Sequence, residues 1–320
     1  MGKISKCVLI VDGNNSSWRA AAIVGDDLTK RGADNIPTTM IDSMLNKRIR
    51  EMKSDEWYDE VIPLVTFDLP SSMRDANDPD DAKINRWTFY TDYKANRRDD
   101  HEDEEHTLEI NERNAWRLKW ENKLANDGTT VLGHPGTEAD DLMSYTADRI
   151  SKLTDDDVDV ALWTSDKDLM QVVNDDKRVF MYRKRKNRKT GVMEETKVDE
   201  KEVLREKGVP VSKMRAQLAL LGDSADNYHG IMQYGGKRGV NVVNASDGTY
   251  PSLLDELLKD EEKRLTRKIK SGEIDWPSFR MNVADQLDRN WTLAGCGADY
   301  MGSTALEMAD AAVDDVITKL

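Results

Sequence analysis

Cys7 to Val11 form a continuous apolar run of largely β-branched side chains, which stops at Asp12-Gly13-Asn14-Asn15. That pattern predicts a buried strand breaking into a turn. Ser16 or Ser17 is expected to cap a following helix through Trp18, Ala21 and Ala22. A second strand is predicted from Val61 to Phe67, stopping at Asp68 ahead of Pro70. A third runs from Val158 to Thr164, just before Asp166. Each run delivers an aspartate at or near its carboxyl end, the edge of an open α/β sheet where ligands collect. Leu142, Met143, Ala147 and Ile150 recur at helical spacing. From Val203 onward the pattern is helical: Met214 to Leu221, a Gly235-Gly236 turn, Gly239 to Val243, and a charged helix from Leu253 to Lys270. Between Asp68 and Gly136 lies a polar stretch with a basic knot (Tyr93 to Arg98), an acidic run (Asp99 to Glu105) and a helical pattern through Trp116 and Trp120. It is too long for a passive connection and reads as a mobile, functional insertion.

Composition narrows the class. The chain has 320 residues, 38% hydrophobic and 34% charged, which reads as a soluble globular protein. No apolar run approaches the roughly 20 residues of a membrane span, and Val8 to Val11 is too short for a secretory segment. Cys7 and Cys296 alone support neither a disulfide framework nor a thiolate zinc site, so the expected location is the cytoplasm. The net charge of −14 argues mildly against a nucleic-acid partner. Basic segments stand apart from the acidic ones, however, at Arg183 to Lys189 and Lys263 to Lys270. A local basic face acts within a Debye length of about 10 Å, whatever the distant charges sum to.

Beyond the strand ends come three tight carboxylate groups: Glu138-Ala139-Asp140-Asp141, Asp166-Lys167-Asp168 and Asp223-Ser224-Ala225-Asp226. Each alone has an ordinary explanation. Thr137 with Asp140 resembles a helix capping pair, as does Ser165 with Asp168, and Asp223 to Asp226 could be a solvated turn. Together they form a hard oxygen donor set suited to magnesium or manganese. Two such ions about 4 Å apart can activate a water and stabilise a phosphodiester's leaving oxygen. No rival set competes: His101, His106, His134 and His229 lack zinc spacing, and no Gly-x-Ser-x-Gly or phosphate-loop motif occurs.

Val11-Asp12-Gly13-Asn14, Tyr93-Lys94-Ala95-Asn96-Arg97, Glu138-Ala139-Asp140-Asp141, Ser165-Asp166-Lys167-Asp168-Leu169 and Leu221-Gly222-Asp223-Ser224-Ala225-Asp226-Asn227 stand in the order of the 5′-nuclease family. The chain resembles the flap endonucleases and 5′→3′ exonucleases of that family from residue 7 to about 243, and its length is similar to the free-standing phage or bacterial kind. The resemblance implies an α/β fold: a central mixed, mainly parallel sheet flanked by helices, with a helical arch insertion and a helix-hairpin-helix subdomain. The expected division is a nuclease core over residues 1–200, with the arch at about 75–130, then a helical DNA-binding region over 201–320 with the hairpin at about 214–243. Asp68, Glu138, Asp140 and Asp141 would hold a first metal, with Asp12 ordering its water shell. Asp166, Asp168, Asp223 and Asp226 would form a second, looser site. Lys94 and Arg97 would contact the scissile phosphate from the arch, and Tyr93 would stack on a base.

Gly230, Gly235, Gly236, Lys237, Arg238 and Gly239 align with the hairpin that grips a duplex backbone, usually with a potassium ion. Gln233 replaces the first glycine usual there, and Tyr234 an aliphatic residue. The paired change favours a rebuilt turn with Gln233 at φ < 0. The implied partner is DNA with a 5′ flap, nick or free 5′ end; RNA in RNA–DNA hybrids is the alternative substrate. A catalytically silent branched-DNA binder and a PIN-type ribonuclease fit less well, because every matched carboxylate is present and the insertion is long. No sliding-clamp motif of the glutamine-aliphatic-aromatic kind is evident. The last ~75 residues resemble nothing identified.

Overall fold

The computed structural model describes residues 6–16, 37–55, 58–69, 81–95, 117–154, 157–186 and 190–320. Strand β1 (Lys6–Asp12) buries Val8 and Ile10 on one face and Cys7, Leu9 and Val11 on the other. A strand apolar on both faces needs cover on both, which places it mid-sheet. Helix α1 (Pro37–Asp55) supplies part of that cover through Ile41, Leu45 and Met52. Then follow β2 (Glu60–Leu69), the single turn α2 (Arg86–Phe89), a helical segment at 117–126, β3 (Thr130–Pro135), α3 (Ala139–Leu153), β4 (Val158–Trp163), β5 (Val179–Lys186) and β6 (Met193–Val198). The strand order is β3-β2-β1-β4-β5-β6, all parallel neighbours except the antiparallel β5–β6 pair. The sheet is mixed and mainly parallel, as expected. Its order reverses beside β1, so the carboxyl ends of β1 and β4 flank the crevice at the switch point.

The rest is helical: α4 (Glu200–Lys207), α5 (Met214–Leu221), a two-residue hairpin pair β7 (Gly222–Asp223) and β8 (Tyr228–His229), α6 (Lys237–Ala245), α7 (Tyr250–Lys270), α8 (Trp276–Ala294) and α9 (Ser303–Lys319). One apolar cluster runs from Val8 and Ile10 of the sheet through Leu142 of α3 to Leu287 of α8 and Val313 and Val316 of α9. The chain thus returns to its core: Tyr145 of α3 donates to Asp310 of α9 (2.9 Å), and Lys319 reaches the Gly128 carbonyl (2.8 Å). Among the described residues, no helix is long and apolar enough to cross a membrane.

Several local expectations are corrected. Residues 13–16 are already helical and Ser16 is buried within them; the Asn15 N–H is taken by Asp12 Oδ1 (2.8 Å), so Asp12 caps that turn. Trp18, Ala21 and Ala22 lie outside the described residues. Of the insertion, 81–95 and 117–126 are described, whereas Arg97, the acidic run and Trp116 are not. Trp120 is a core residue, edge-on to Phe67 at 5.6 Å. Of the Arg183 to Lys189 segment, residues 187–189 lie outside the described residues, and the two described arginines do not stand open. Arg183 and Arg185 each pair with Glu206 of α4 at 2.8 Å.

Candidate active site

The strand-end aspartates are fixed by their neighbours. Asp12 Oδ2 accepts the Thr164 hydroxyl (2.9 Å), and that hydroxyl oxygen accepts the Asp166 N–H (3.0 Å), which joins the ends of β1 and β4. Asn14 joins β1 to β2: its side chain donates to Asp68 (3.3 Å) and accepts the Asp68 N–H (3.1 Å). Only glycine fits between, since a Cβ on Gly13 would lie 2.3 Å from the Phe67 ring and 2.7 Å from the Thr66 carbonyl. Asp68 Oδ1 in turn accepts the Ala139 N–H at the start of α3. That overturns the Thr137–Asp140 capping pair. Glu138 is the N-cap without a capping side chain, and the Thr137 hydroxyl meets His134 Nδ1 at 3.1 Å instead.

Helix α3 faces the sheet with Leu142, Met143, Ala147 and Ile150, so its first turn sets Glu138, Asp140 and Asp141 over the same edge. Carboxylates are favoured at a helix N-terminus. One oxygen from each of these three lies within 4.8 Å of the others. Their electrostatics differ. Burial and the carboxylates of Asp141 and Glu138 push Asp140 well above the usual range. Burial also works against charge on Glu138, but Lys94 and Arg86 outweigh it and hold that carboxyl down at about 2. Burial raises Asp141, with Arg86 opposing.

Arg86 is the residue of this cluster that motif reading missed. Its side chain is 4% exposed, and it grips Asp141 through two N–H groups (2.7 and 3.0 Å) and Glu138 through one (3.0 Å). Only an arginine eight positions before Lys94, just after a helix-capping Asn85, could have signalled it.

The second group lies beside the first. Asp166 accepts the Asp168 N–H (2.9 Å), starting a 3₁₀ turn at Asp168–Val172, so neither Ser165 nor Asp168 acts as its cap. Asp223 is buried in the β7–β8 hairpin rather than in a solvated turn, and Lys167 reaches it at 2.9 Å. Burial, then Asp166 and Asp223, push Asp168 up to about 8; burial and Asp68 push Asp12 up to about 7 despite the Asn15 N–H. Two residues link the groups. Lys94 Nζ contacts Glu138 Oε1 and lies 3.9 Å from Asp226, and its side chain is 13% exposed. A solvated lysine is thereby excluded. Tyr93 donates its hydroxyl towards Glu138 (3.0 Å) and Asp226 (3.2 Å). Tyr93 is 1% exposed and packs with Tyr228 and Leu293, so its ring is closed to a base and the stacking role is corrected.

The hairpin region spans Gly230 to Gly239. Helices α5 and α6 flank it, and Gly235, Gly236 and Lys237 are exposed at the start of α6. Gly230 and Gly239 are packing positions, where a Cβ would come within 2.1 Å of the Leu221 and Tyr234 carbonyls respectively. Arg238 is half-buried, with its guanidinium on Asp260 and over the Tyr234 ring (4.2 Å). Gln233 has φ +71°, not the negative value expected, so the turn keeps a conformation natural to glycine.

The family model "5'-3' exonuclease, N-terminal resolvase-like domain" matches residues 7–207. The chain belongs to the 5′-3′ exonuclease family and is a nuclease. It is 27% identical over 258 residues to a 5′-3′ exonuclease of Aquifex aeolicus, covering 81% of this chain and 74% of that protein. It is 30% identical over 201 residues to DNA polymerase I of Mycobacterium bovis, covering 62% of this chain but only 20% of the polymerase. The fold is shared with the bacteriophage T5 5′-exonuclease solved with zinc (TM-score 0.68, 18% identity, 98% and 99% of the two chains). The T5 flap endonuclease solved with DNA and metal ions shares it too (TM-score 0.65, 18% identity, 98% of each chain).

Proposed function

We propose that this chain is a structure-selective 5′-nuclease, hydrolysing phosphodiester bonds near 5′ ends or flaps of DNA in replication or repair. The observation that carries the reading is the convergence of Asp12, Asp68, Glu138, Asp140, Asp166, Asp168, Asp223 and Asp226 on one sheet edge, bridged by Lys94 and Tyr93. An all-oxygen set in which burial, and after it like charge, holds Asp140 and Asp168 above their usual range suits magnesium or manganese. Asp68, Glu138, Asp140 and Asp141 would hold one ion, and Asp166, Asp168, Asp223 and Asp226 a second. Bound there, such ions supply activation of water and stabilisation of the leaving oxygen.

The chain's own residues do the rest. Lys94, at the mouth of the insertion, would offer its ammonium to the phosphate as charge develops, assisted by Arg97. Thr164 and Asn15 keep Asp12 oriented between the two groups. Gly235, Gly236 and Lys237 would meet the duplex backbone, with a potassium ion at the turn that Gln233 completes. The test compares 5′-labelled flap, nicked, single-stranded and RNA-primed substrates with magnesium and with EDTA. Metal-dependent cutting near the flap junction is expected. Cutting that persists in EDTA would overturn the proposal, and preference for the RNA-primed arm would redirect it to primer removal.

A further inference from the structure

The junction between α8 and α9, Gly295 to Tyr300, lies outside the residues matched by the family model, yet it reaches the centre of the carboxylate cluster. The Gly295 carbonyl accepts from Arg86 Nη2, and the Gly297 N–H donates to Asp141 Oδ1 (3.0 Å). The Tyr300 ring lies 3.9 Å from the guanidinium carbon of Arg86. Tyr300 is itself held, donating its hydroxyl to the Thr292 carbonyl (2.6 Å) and accepting from Arg215 (3.1 Å). The same junction grips the segment ahead of Arg86. The Ile84 N–H bonds the Asp299 carbonyl (2.8 Å), Lys83 pairs with the Asp299 carboxylate (2.7 Å), and the Ser303 N–H bonds Asp81 (2.7 Å).

We propose that Arg86 and the Gly295–Tyr300 junction form a clamp that positions Asp141 and Glu138 and anchors the base of the insertion, a role that rests on reading the cluster as a cation site. A guanidinium is a rigid planar fork, so holding it from the α8–α9 side fixes the carboxylates on its other side. Arg86 is a positioning residue acting through Asp141 and Glu138. The glycines are part of the device. A Cβ on Gly295 would lie 2.2 Å from the Tyr300 hydroxyl and 2.7 Å from Arg215 Nη2, and Gly297 sits at φ +103°. Helices α8 and α9 therefore serve the reaction centre itself.

The test uses full-length Arg86→Lys and Gly295→Ala. Mn²⁺ binding without DNA is followed by electron paramagnetic resonance, flap affinity is measured in EDTA, and single-turnover rates are taken at saturating enzyme. Both variants should bind Mn²⁺ about tenfold or more weakly and cut more slowly, as when other groups that orient metal ligands are altered. DNA affinity should be unchanged, and raised Mn²⁺ should recover part of the Gly295→Ala rate. Gly295→Ala changes no charge and displaces only the tips of Tyr300 and Arg215, so it decides the matter if Arg86→Lys does not fold. Wild-type Mn²⁺ affinity in the folded variants overturns the clamp, as does lost DNA affinity with Mn²⁺ binding intact. Failure of the wild type to bind Mn²⁺ overturns the cation reading first, and the clamp with it.

Discussion

Asp140 and Asp141 are adjacent in sequence, yet the structure predicts opposite consequences for their removal. Asp141 is 1% exposed and receives two N–H groups from Arg86 and one from Gly297. Asp141→Asn turns one oxygen into an amide that faces a guanidinium donor, and leaves Arg86 buried with Glu138 as its remaining carboxylate. Breaking a buried pair from one side costs about 3–5 kcal/mol; with Glu138 retained we expect about 3, a fall of about 4–5 °C in melting temperature at this chain length. Asp140 accepts the Asp141 N–H (2.9 Å) but no guanidinium bond, and burial, then the charges of Asp141 and Glu138, disfavour its ionised form against the pull of Arg86 and Lys94. Asp140→Asn should melt in EDTA at or above the wild-type temperature. With Mn²⁺ at about 100 times the wild-type Kd, binding should stabilise the wild type by about 2.7 kcal/mol, roughly 4 °C. A 100-fold weaker Asp140→Asn would gain only about 0.4 kcal/mol under the same conditions. Both variants should lose cleavage. The assay is thermal denaturation of the three proteins in EDTA and in Mn²⁺. Equal melting of Asp141→Asn and wild type in EDTA would refute the argument, because the Arg86 pair would then not support the fold.

Three more outcomes are expected. Lys94→Ala should lower the single-turnover rate by about 10²-fold or more at saturating enzyme; a rate near wild type would reject a contact with the reacting phosphate. In EDTA the melting temperature should fall as pH rises from the ordinary carboxyl value of 3.8 through about 7 and 8, because Asp12 and Asp168 keep their protons in the native state where the unfolded chain has lost them. Glu138, held at about 2, acts the other way only below its ordinary 4.5. Mn²⁺ should flatten the decline, and a flat profile in EDTA would contradict the burial argument. Gln233→Gly should leave stability within about 1 kcal/mol, since relieved strain offsets the freedom gained by the unfolded chain. It should tighten duplex binding with a preference for potassium over sodium. Weaker binding without that preference would mean the glutamine side chain itself serves the DNA.

The sequence by itself determined the sheet and its functional edge. A central strand covered on both faces is mostly apolar, so β1 is legible as an unbroken run and β4 as one interrupted only by Asp159, a buried carboxylate met by Tyr58 and Arg178, and the aspartates that end the runs mark the edge. The first turn of α3 was legible for a related reason: its apolar spacing fixes which way Glu138, Asp140 and Asp141 project. Tertiary structure decided which partners those carboxylates have. The cap of α3 comes from Asp68, 71 residues before the N–H it accepts, where a local rule looked to Thr137. Tyr93 and Arg238 look like ligand-facing residues in their motifs, but the fold sets both on carboxylates, Tyr93 in full burial. Arg86 meets Gly295 across 209 residues of chain. Sequence periodicity reports which face of an element is apolar, whereas a buried charge is placed by whichever distant segment neutralises it, and that pairing exists only once the chain has folded.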